Sequence, residues 1–453
     1  MKQDYQNKRV VVIGAGKSGL ALVRFLIQRG ATVALSDIRP ATEIKGLESL
    51  TGLPVRYDFG GHSLDLFEQA DLIAVSPGVP LDSEPLRRAR SCRIPLLGEI
   101  EIAAREIAAP IIGITGTNGK STTTSLIGQI MQGWGKRVFV GGNLGSPLID
   151  SCSMKADVFV VELSSFQLET IDHFHPAMGL LLNLSPDHLD RYASLESYYQ
   201  AKIQLFKNMT ADDFAVLNAD DPDVCRLSDS IKATKVWFSS RGRLVQGMVR
   251  LGNKLVWNWN SADLQLPLDK LTLSGEHNIE NAMAAMIPAL LQGCPADLAW
   301  DAVCAFPGLE HRMRLVRRLN GVAWYNDSKG TNVGSVIKSL AGLGKGVSLI
   351  AGGKDKGGGY AALRPLLEQK VGHLILIGEA ARRMAAELSG TCDIHLAADL
   401  AAAVQLAYEL TPVGGTVLLS PACSSYDMFQ NFEARGHAFE QLVLQLPETK
   451  VAS

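Results

Sequence analysis

Between the apolar run Ile111-Ile112-Gly113-Ile114-Thr115 and a helical stretch stand Gly116-Thr117-Asn118-Gly119-Lys120-Ser121-Thr122. A strand, a glycine-rich turn, a Lys-Ser pair and a helix in that order admit few folds. Glycines let backbone N–H groups close around phosphate oxygens, and the helix N-terminus adds a favourable dipole. Lys120 is placed to neutralise β- and γ-phosphates, and Ser121 or Thr122 to offer a hydroxyl to Mg2+. One position departs from the general phosphate-loop pattern. Five residues before Gly119 stands Ile114 rather than glycine, and Gly113 lies one residue too early. The context predicts a nucleoside triphosphate site, against the plainer alternative of a Gly-rich βα turn.

The rest of the chain repeats the alternation of strand and helix. At roughly 150 residues per domain, 453 residues suggest about three domains. Residues 1–99 carry RVVVIG, ATVALSD and DLIAVSP as strands, with a helix over 20–28 after the first. Strand, helix, strand at this spacing argues a parallel, right-handed βαβ sheet. Residues 100–306 carry IIGIT, RVFVG, DVFVVE, GLLLNL and FAVLN, then a hairpin around Gly252-Asn253 and a helix over HNIENAMAAMIPALL. Pro307 and Gly308 mark a boundary. Residues 307–453 carry GVAWYND, GVSLIAGG, HLILIG, CDIHLA and GTVLLSP, each followed by a helical segment. The expected fold is α/β in three domains. A Rossmann-like N-terminal domain precedes a central phosphate-loop ATPase-like domain, whose parallel sheet has a small antiparallel insert, and a Rossmann-like C-terminal domain follows.

Composition excludes several classes of function. Lys and Arg total 44 against 46 Asp and Glu, a formal charge of −2, which argues against a nucleic-acid or anionic-membrane binder. The seven cysteines are scattered and never form a C-x-x-C pair, so neither a disulfide framework nor a cysteine zinc site is expected. A reducing cytosol fits them. No stretch approaches the roughly 20 apolar residues of a membrane span. The first residues lack the apolar core of a signal peptide. A cytoplasmic protein is expected.

Further residues stand where chemistry is done. Gly14-Ala15-Gly16-Lys17-Ser18-Gly19 fits G-x-G-x-x-G between a strand and a helix, and Asp37 ends the next strand. That is the dinucleotide fingerprint, although the same turn can cradle the diphosphate of a nucleotide sugar. Glu162 ends DVFVVE, where an acid can help hold Mg2+ or be mere surface charge. His188 follows GLLLNL and reads as a ligand or as a structural histidine. Lys202 falls on the helical stripe of Leu195, Tyr198, Tyr199, Leu205 and Phe206. Such a lysine snorkels to water, binds phosphate, or carries a carbamate whose oxygens suit Mg2+. Three post-strand turns of the last domain, from Asp327, Gly352 and Ser420, bring lysines and hydroxyls suited to a carboxylate-bearing substrate. Cys423 has no histidine nearby in sequence and reads as a structural thiol. On motifs alone, a nicotinamide oxidoreductase and a nucleotide switch stay open, the latter weakened by the lack of an N-K-x-D guanine signature.

Taken together, GTNGKST, VELSSFQLE, NLSPDHLDRY, EHNIENAMAA, GLEHRM, NDSKGTN and SPACSSYDMFQNFEARGHAF resemble the Mur ligase family over essentially the whole chain. The family uses its own variant of the phosphate loop, which accounts for Ile114. The resemblance implies a bacterial cytoplasmic ligase of peptidoglycan synthesis, and so of cell-wall biogenesis, cell shape, division and the cell cycle. ATP phosphorylates the carboxylate of UDP-N-acetylmuramoyl-L-alanine, and the amine of D-glutamate attacks the acyl phosphate, leaving ADP and phosphate. The final motif, and the lack of D-N-P-R, point to D-glutamate. Gly116, Thr117, Asn118, Gly119, Lys120, Ser121, Thr122, Asn278, Asn281, Arg312 and Asp327 are implied to bind ATP. Lys120, Glu162, His188 and Lys202 are the implied catalytic residues. Ser121, Glu162, His188 and a carbamylated Lys202 are implied to serve two Mg2+ ions. Lys17, Ser18, Asp37, Arg39 and Asn143 match the uridine-nucleotide site. Lys329, Thr331, Lys356, Ser425, Tyr426 and Phe432 match the D-glutamate pocket, with Lys354 competing for the place of Lys356. Neither a nucleic acid nor a membrane is an expected partner, and a monomer is expected.

Overall fold

A computed structural model describes residues 4–189, 191–243, 245–260, 264–273 and 275–448. Three sheets carry the fold. The chain forms two compact units: the first reaches Leu184 and includes Glu196–Lys270 and Glu280–Cys304, and the second comprises Ser185–Leu195, Leu271–Ile279 and the chain from Ala305 on. The first unit holds two of the sheets.

The first sheet is wholly parallel, in the order Val55–Phe59, Thr32–Asp37, Arg9–Ile13, Leu72–Val75, Leu96–Gly98. Its central strand is buried from Val10 to Ile13, as the unbroken β-branched run requires of a strand covered on both faces. The helix Lys17–Gln28 buries Leu20, Leu22, Val23 and Leu26. It packs closely because Gly19 has no side chain: a Cβ there would meet the Gly14 carbonyl. The chain leaves Arg9–Ile13 to one side and later returns on the other, so a crevice opens at the carboxyl end of this strand.

In the second sheet Ile111–Thr115 lies between Met178–Leu181 and Val158–Glu162. The chain runs to one side for Val138–Gly142 and Val158–Glu162, and to the other for Met178–Leu181 and Phe214–Asn218. That is a second switch point, with the phosphate loop at its mouth. The expected hairpin is present, Leu251 facing Lys254 across Gly252-Asn253. It is continuous with the main sheet: Gly247–Leu251 pairs in parallel with Thr234–Ser239, Lys254–Asn258 runs antiparallel to it, and Leu264–Pro267, antiparallel to that strand, returns to the direction of the main sheet. The strand Thr234–Ser239 was not anticipated.

The third sheet has the order Arg314–Leu319, Val322–Asn326, Thr416–Leu419, Val347–Gly352, Val371–Ile377, Asp393–Leu396. Five strands are parallel, as expected. The edge strand Arg314–Leu319 is an addition, antiparallel to its neighbour through the turn at Asn320-Gly321. Its arginines, Arg314, Arg317 and Arg318, interrupt any apolar run. Because Thr416–Leu419 inserts between Val322–Asn326 and Val347–Gly352, the turns after these three strands become neighbours. Among the described residues no helix is long and apolar enough to cross a membrane.

Candidate active site

In the first unit, the phosphate loop is shaped by Gly116 and Gly119, at φ of 145° and 88°. A side chain at Gly119 would be strained and would also meet the Asn281 amide oxygen, so residues far apart in sequence close the loop together. Asn183 fixes its other side. The Asn118 N–H donates to Asn183 Oδ1 at 2.8 Å, and Asn183 Nδ2 donates back to the Asn118 carbonyl at 3.0 Å. The Thr117 N–H donates to the Asn183 carbonyl.

Lys120 opens the helix Lys120–Gly133 and donates to the carbonyls of Gly116 and Thr117 at 2.8 and 2.9 Å. Lys202, 1% exposed, donates to the same Gly116 carbonyl at 2.9 Å and lies over the Tyr198 ring at 4.6 Å. Two ammonium groups thus converge on one loop carbonyl, a concentration of positive charge suited to a polyphosphate. Glu162 is buried, beside Ile114 in the sheet register. Its Oε1 accepts from Asn143 Nδ2 at 2.7 Å. Ser121 and Thr122 are also buried. A buried carboxylate and buried hydroxyls at a phosphate loop are the hard oxygen donors Mg2+ takes, so this set fits the ion.

The N-terminal crevice is a cavity of about 850 Å3 lined by Lys17, Ser18, Asp37, Arg39 and Ser76 among others. Asp37 accepts from the Ala15 N–H at 2.7 Å and, through both oxygens, from Arg39 Nε and Nη2 at 2.9 and 2.8 Å. Burial alone would push this carboxyl up, yet Arg39 and the Ala15 amide hold it at about 2. A carboxylate depressed in the folded state stabilises the fold above its unfolded pKa and loses that effect as pH falls. The Tm gap between the wild type and Asp37→Asn is therefore expected to narrow as pH falls from about 4 to about 2. Thermal unfolding across that range measures it.

In the second unit a smaller cavity, about 260 Å3, is walled by Asp187, His188, Asn332, Lys356 and Tyr360 among others. Lys356 Nζ lies 3.3 Å from Asp187 Oδ1, and Asn332 Nδ2 donates to Asp187 Oδ2 at 3.0 Å. Burial favours the neutral carboxyl, but Lys356 and His188 outweigh it and keep Asp187 below the usual range. Lys354 is exposed and tied by its backbone to Ser424, so Lys356 is the lysine that faces this cavity. Lys329 lies over the Phe432 ring at 4.5 Å. Thr331 follows in the same turn. Ser425 is buried and Tyr426 is 69% exposed.

Asp327 accepts from Ser339 and Ser420 hydroxyls at 2.7 Å each, and burial pushes it up to about 6. Its Oδ2 is thus engaged with protein hydroxyls. Arg312 and Asn278 belong to this unit, whereas Asn281 belongs to the first. Asn278 and Asn281 lie on one helix, Glu276–Leu291.

Three residues that organise these sites carried no assigned role in the sequence: Asn183, Asp187 and Arg435. All sit inside motifs that were conspicuous as strings, but their partners are remote. Arg435 is fully buried. It donates from Nε and Nη2 to the Ser328 hydroxyl and carbonyl at 3.0 and 2.9 Å, and from Nη1 to the carbonyls of Cys423 and Ser424 at 3.3 Å. One guanidinium therefore joins two of the three turns that carry the candidate amino-acid site, and Lys354 ties the third to Ser424. Arg435→Met is expected to take the guanidinium donor from the Ser328 and Cys423 carbonyls, at about 1–3 kcal/mol each. Its Tm should fall by several degrees, and the KM for the amino-acid substrate should rise more than that for ATP.

Three family models match the chain: the Mur ligase MurD-like N-terminal domain over residues 8–98, the Mur ligase middle domain over 114–289, and the Mur ligase glutamate ligase domain over 311–423. A UDP-N-acetylmuramoylalanine--D-glutamate ligase of Syntrophotalea carbinolica is 54% identical, covering 98% of this chain and 99% of the relative. One of Geotalea uraniireducens is 49% identical, covering 98% of each. Among solved structures, MurC, a UDP-N-acetylmuramate-alanine ligase of Thermotoga maritima, shares the fold with a TM-score of 0.60 at 20% identity, over 97% of this chain and 99% of that one. MurF ligase of Thermotoga maritima in complex with ADP also has a TM-score of 0.60, at 16% identity, over 98% of this chain and 100% of that one.

Proposed function

The chain belongs to the Mur ligase family, and we propose that it is the ATP-dependent ligase that joins D-glutamate to UDP-N-acetylmuramoyl-L-alanine in peptidoglycan synthesis. The observation that carries this reading is the pair of lysines, Lys120 and Lys202, drawn to one carbonyl of a phosphate loop in a chain so similar to ligases of that name. ATP is the energy source. Residues 1–99 bind the uridine nucleotide, 100–306 bind ATP, and 307–453 bind the amino acid. The protein acts as a monomer in the bacterial cytoplasm.

Each residue group has a physical task. In the loop from Gly116 to Thr122, which Asn183 braces through the Thr117 and Asn118 amides, the amides from Gly119 onwards and the dipole of the following helix hold the triphosphate. Lys120 reduces the repulsion between the substrate carboxylate and the γ-phosphoryl group as they approach, a purely electrostatic contribution. Glu162, with Ser121, would hold one Mg2+; His188 and a Lys202 carbamate would hold a second. When bound, these ions neutralise phosphate charge and draw density from the transferring group. Arg312, Asn278, Asn281 and Asp327 orient the nucleotide. In the crevice, the positive edge of the Lys17–Ser18 turn and Arg39 meet the diphosphate, and Asn143 sits beside Glu162. Lys329 and Lys356 hold the carboxylates of D-glutamate, with Thr331, Ser425, Tyr426 and Phe432 shaping the pocket, so that its amine reaches the acyl phosphate with water excluded.

Phosphate release with Mg-ATP and UDP-N-acetylmuramoyl-L-alanine tests the reading. D-glutamate, L-glutamate, diaminopimelate and lysine are added separately. Release that depends on D-glutamate, with the matching gain in product mass, is the expected result. Turnover with another acceptor alone moves the chain to a sister ligase.

A further inference from the structure

Away from the ligase site, His373 and His395 stand on neighbouring strands at the open edge of the third sheet. Val371–Ile377 and Asp393–Leu396 pair in parallel, with His373 opposite Asp393 and Ile375 opposite His395. The two histidines therefore share a face, one pleat repeat apart. Their ring centroids are 5.4 Å apart, and His395 Nε2 faces His373 Nδ1 at 3.4 Å. Asp393 Oδ2 is 3.8 Å from the same His373 nitrogen. We propose that His373 and His395, with Asp393, form a binding site for a divalent transition-metal ion of the zinc class.

The geometry suits such an ion. Two imidazole nitrogens bound to one tetrahedral ion at about 2.0–2.1 Å stand about 3.4 Å apart, which is the separation already present. Asp393 is mostly exposed and can swing its oxygen in as a third ligand, with water completing the shell. The tautomers are compatible as well. Without an ion one facing nitrogen can donate to the other; no protein group among the described residues hydrogen-bonds the outer nitrogens, His373 Nε2 and His395 Nδ1, so both can take the protons when an ion occupies the facing lone pairs. A tighter group, Glu310, His311 and His437, has ligand atoms within 4.8 Å of one another, but its chemistry is worse. The Asn326 amide points its nitrogen at His311 Nδ1 at 2.9 Å, and its oxygen is taken by the Ser328 N–H. The same Asn326 nitrogen reaches the Gly436 carbonyl and Glu440 Oε1, so His311 Nδ1 belongs to a buried hydrogen-bond network of the protein rather than facing an open ligand position.

The ion would pin the edge strand Asp393–Leu396 to its neighbour. Neither histidine lines the N-terminal crevice or the cavity at Asp187 and Lys356, so ligase activity does not depend on them. Equilibrium dialysis of the full chain against Zn2+ in excess Mg2+ tests the site. The wild type and His437→Asn are expected to bind one ion with equal affinity. His395→Asn, and independently His373→Asn, should lose at least about tenfold in affinity. Zn2+ should raise the Tm of the wild type but of neither variant, while in chelator all four proteins keep the same Tm and the same ligase activity after Mg2+ is restored. Zn2+ bound as tightly by both edge variants as by the wild type, no Zn2+ bound by the wild type, or loss of binding in His437→Asn alone would each overturn the proposal.

Discussion

Replacing Lys120 by glutamine is expected to lower kcat/KM for phosphate release by about two to three orders of magnitude. A preorganised charge aimed at a reacting phosphoryl group contributes that much in a water-poor site, about 2.7–4 kcal/mol. The fold should survive. Lys120 donates to the Gly116 and Thr117 carbonyls of its own loop, and Lys202 continues to donate to the Gly116 carbonyl when Lys120 is replaced. The Tm of Lys120→Gln is therefore expected within a few degrees of the wild type. Arginine at the same position should not restore the rate, because its broad fork does not fit where a compact ammonium does. A Lys120→Gln protein that releases phosphate at the wild-type rate would remove the phosphate loop from the chemistry altogether.

A comparable loss is expected from Lys202→Gln, for a different reason. As an ammonium, Lys202 adds positive charge beside Lys120. As a carbamate it would bring two anionic oxygens, which is what a second Mg2+ requires. The geometry permits the conversion without breaking what is there. A carbamate nitrogen keeps one N–H, so the bond to the Gly116 carbonyl at 2.9 Å can persist while the new oxygens turn towards the phosphate side. The two states make opposite predictions. If the carbamate acts, depletion of CO2 lowers the rate, bicarbonate restores it, and 13C-bicarbonate yields a bound carbamate resonance absent from Lys202→Gln. Lys202→Arg would then be as inactive as the glutamine variant. Retained activity in Lys202→Arg, with no response to CO2, would assign the residue to charge alone.

The two lysines show how far the chain could be read without its fold. Lys120 is set by local order: strand, glycine turn and helix follow one another within a dozen residues, and the side chain's place follows from them. Lys202 was ambiguous, because a lysine on an apolar helical stripe can equally snorkel to water. Its burial under the phosphate loop depends on a helix 86 residues further along the chain docking beside that loop. Asp37 fell between these cases. Its position at a strand end was legible, but the protein groups that hold it were not. The structure shows both oxygens engaged by Arg39 and the Ala15 amide.

What the sequence by itself determined is whatever rests on near neighbours. The buried strands show as β-branched runs, the helices as apolar stripes, and the phosphate loop as glycines ahead of a Lys-Ser pair, because periodicity and turn chemistry are encoded within a few residues. The strand over GLLLNL shows the limit. It leaves the ladder at Leu181, two residues before Asn183 turns to clip the loop. Tertiary structure alone decided that clip, the Asp187–Lys356 pair spanning 169 residues, the guanidinium of Arg435 joining a turn 107 residues away to one 12 residues away, and the division of Asn278 from Asn281 between two units. Each depends on the order in which strands enter a sheet and on which side chains then meet. Packing fixes that order by burying apolar faces everywhere at once, and no local window of the chain carries it.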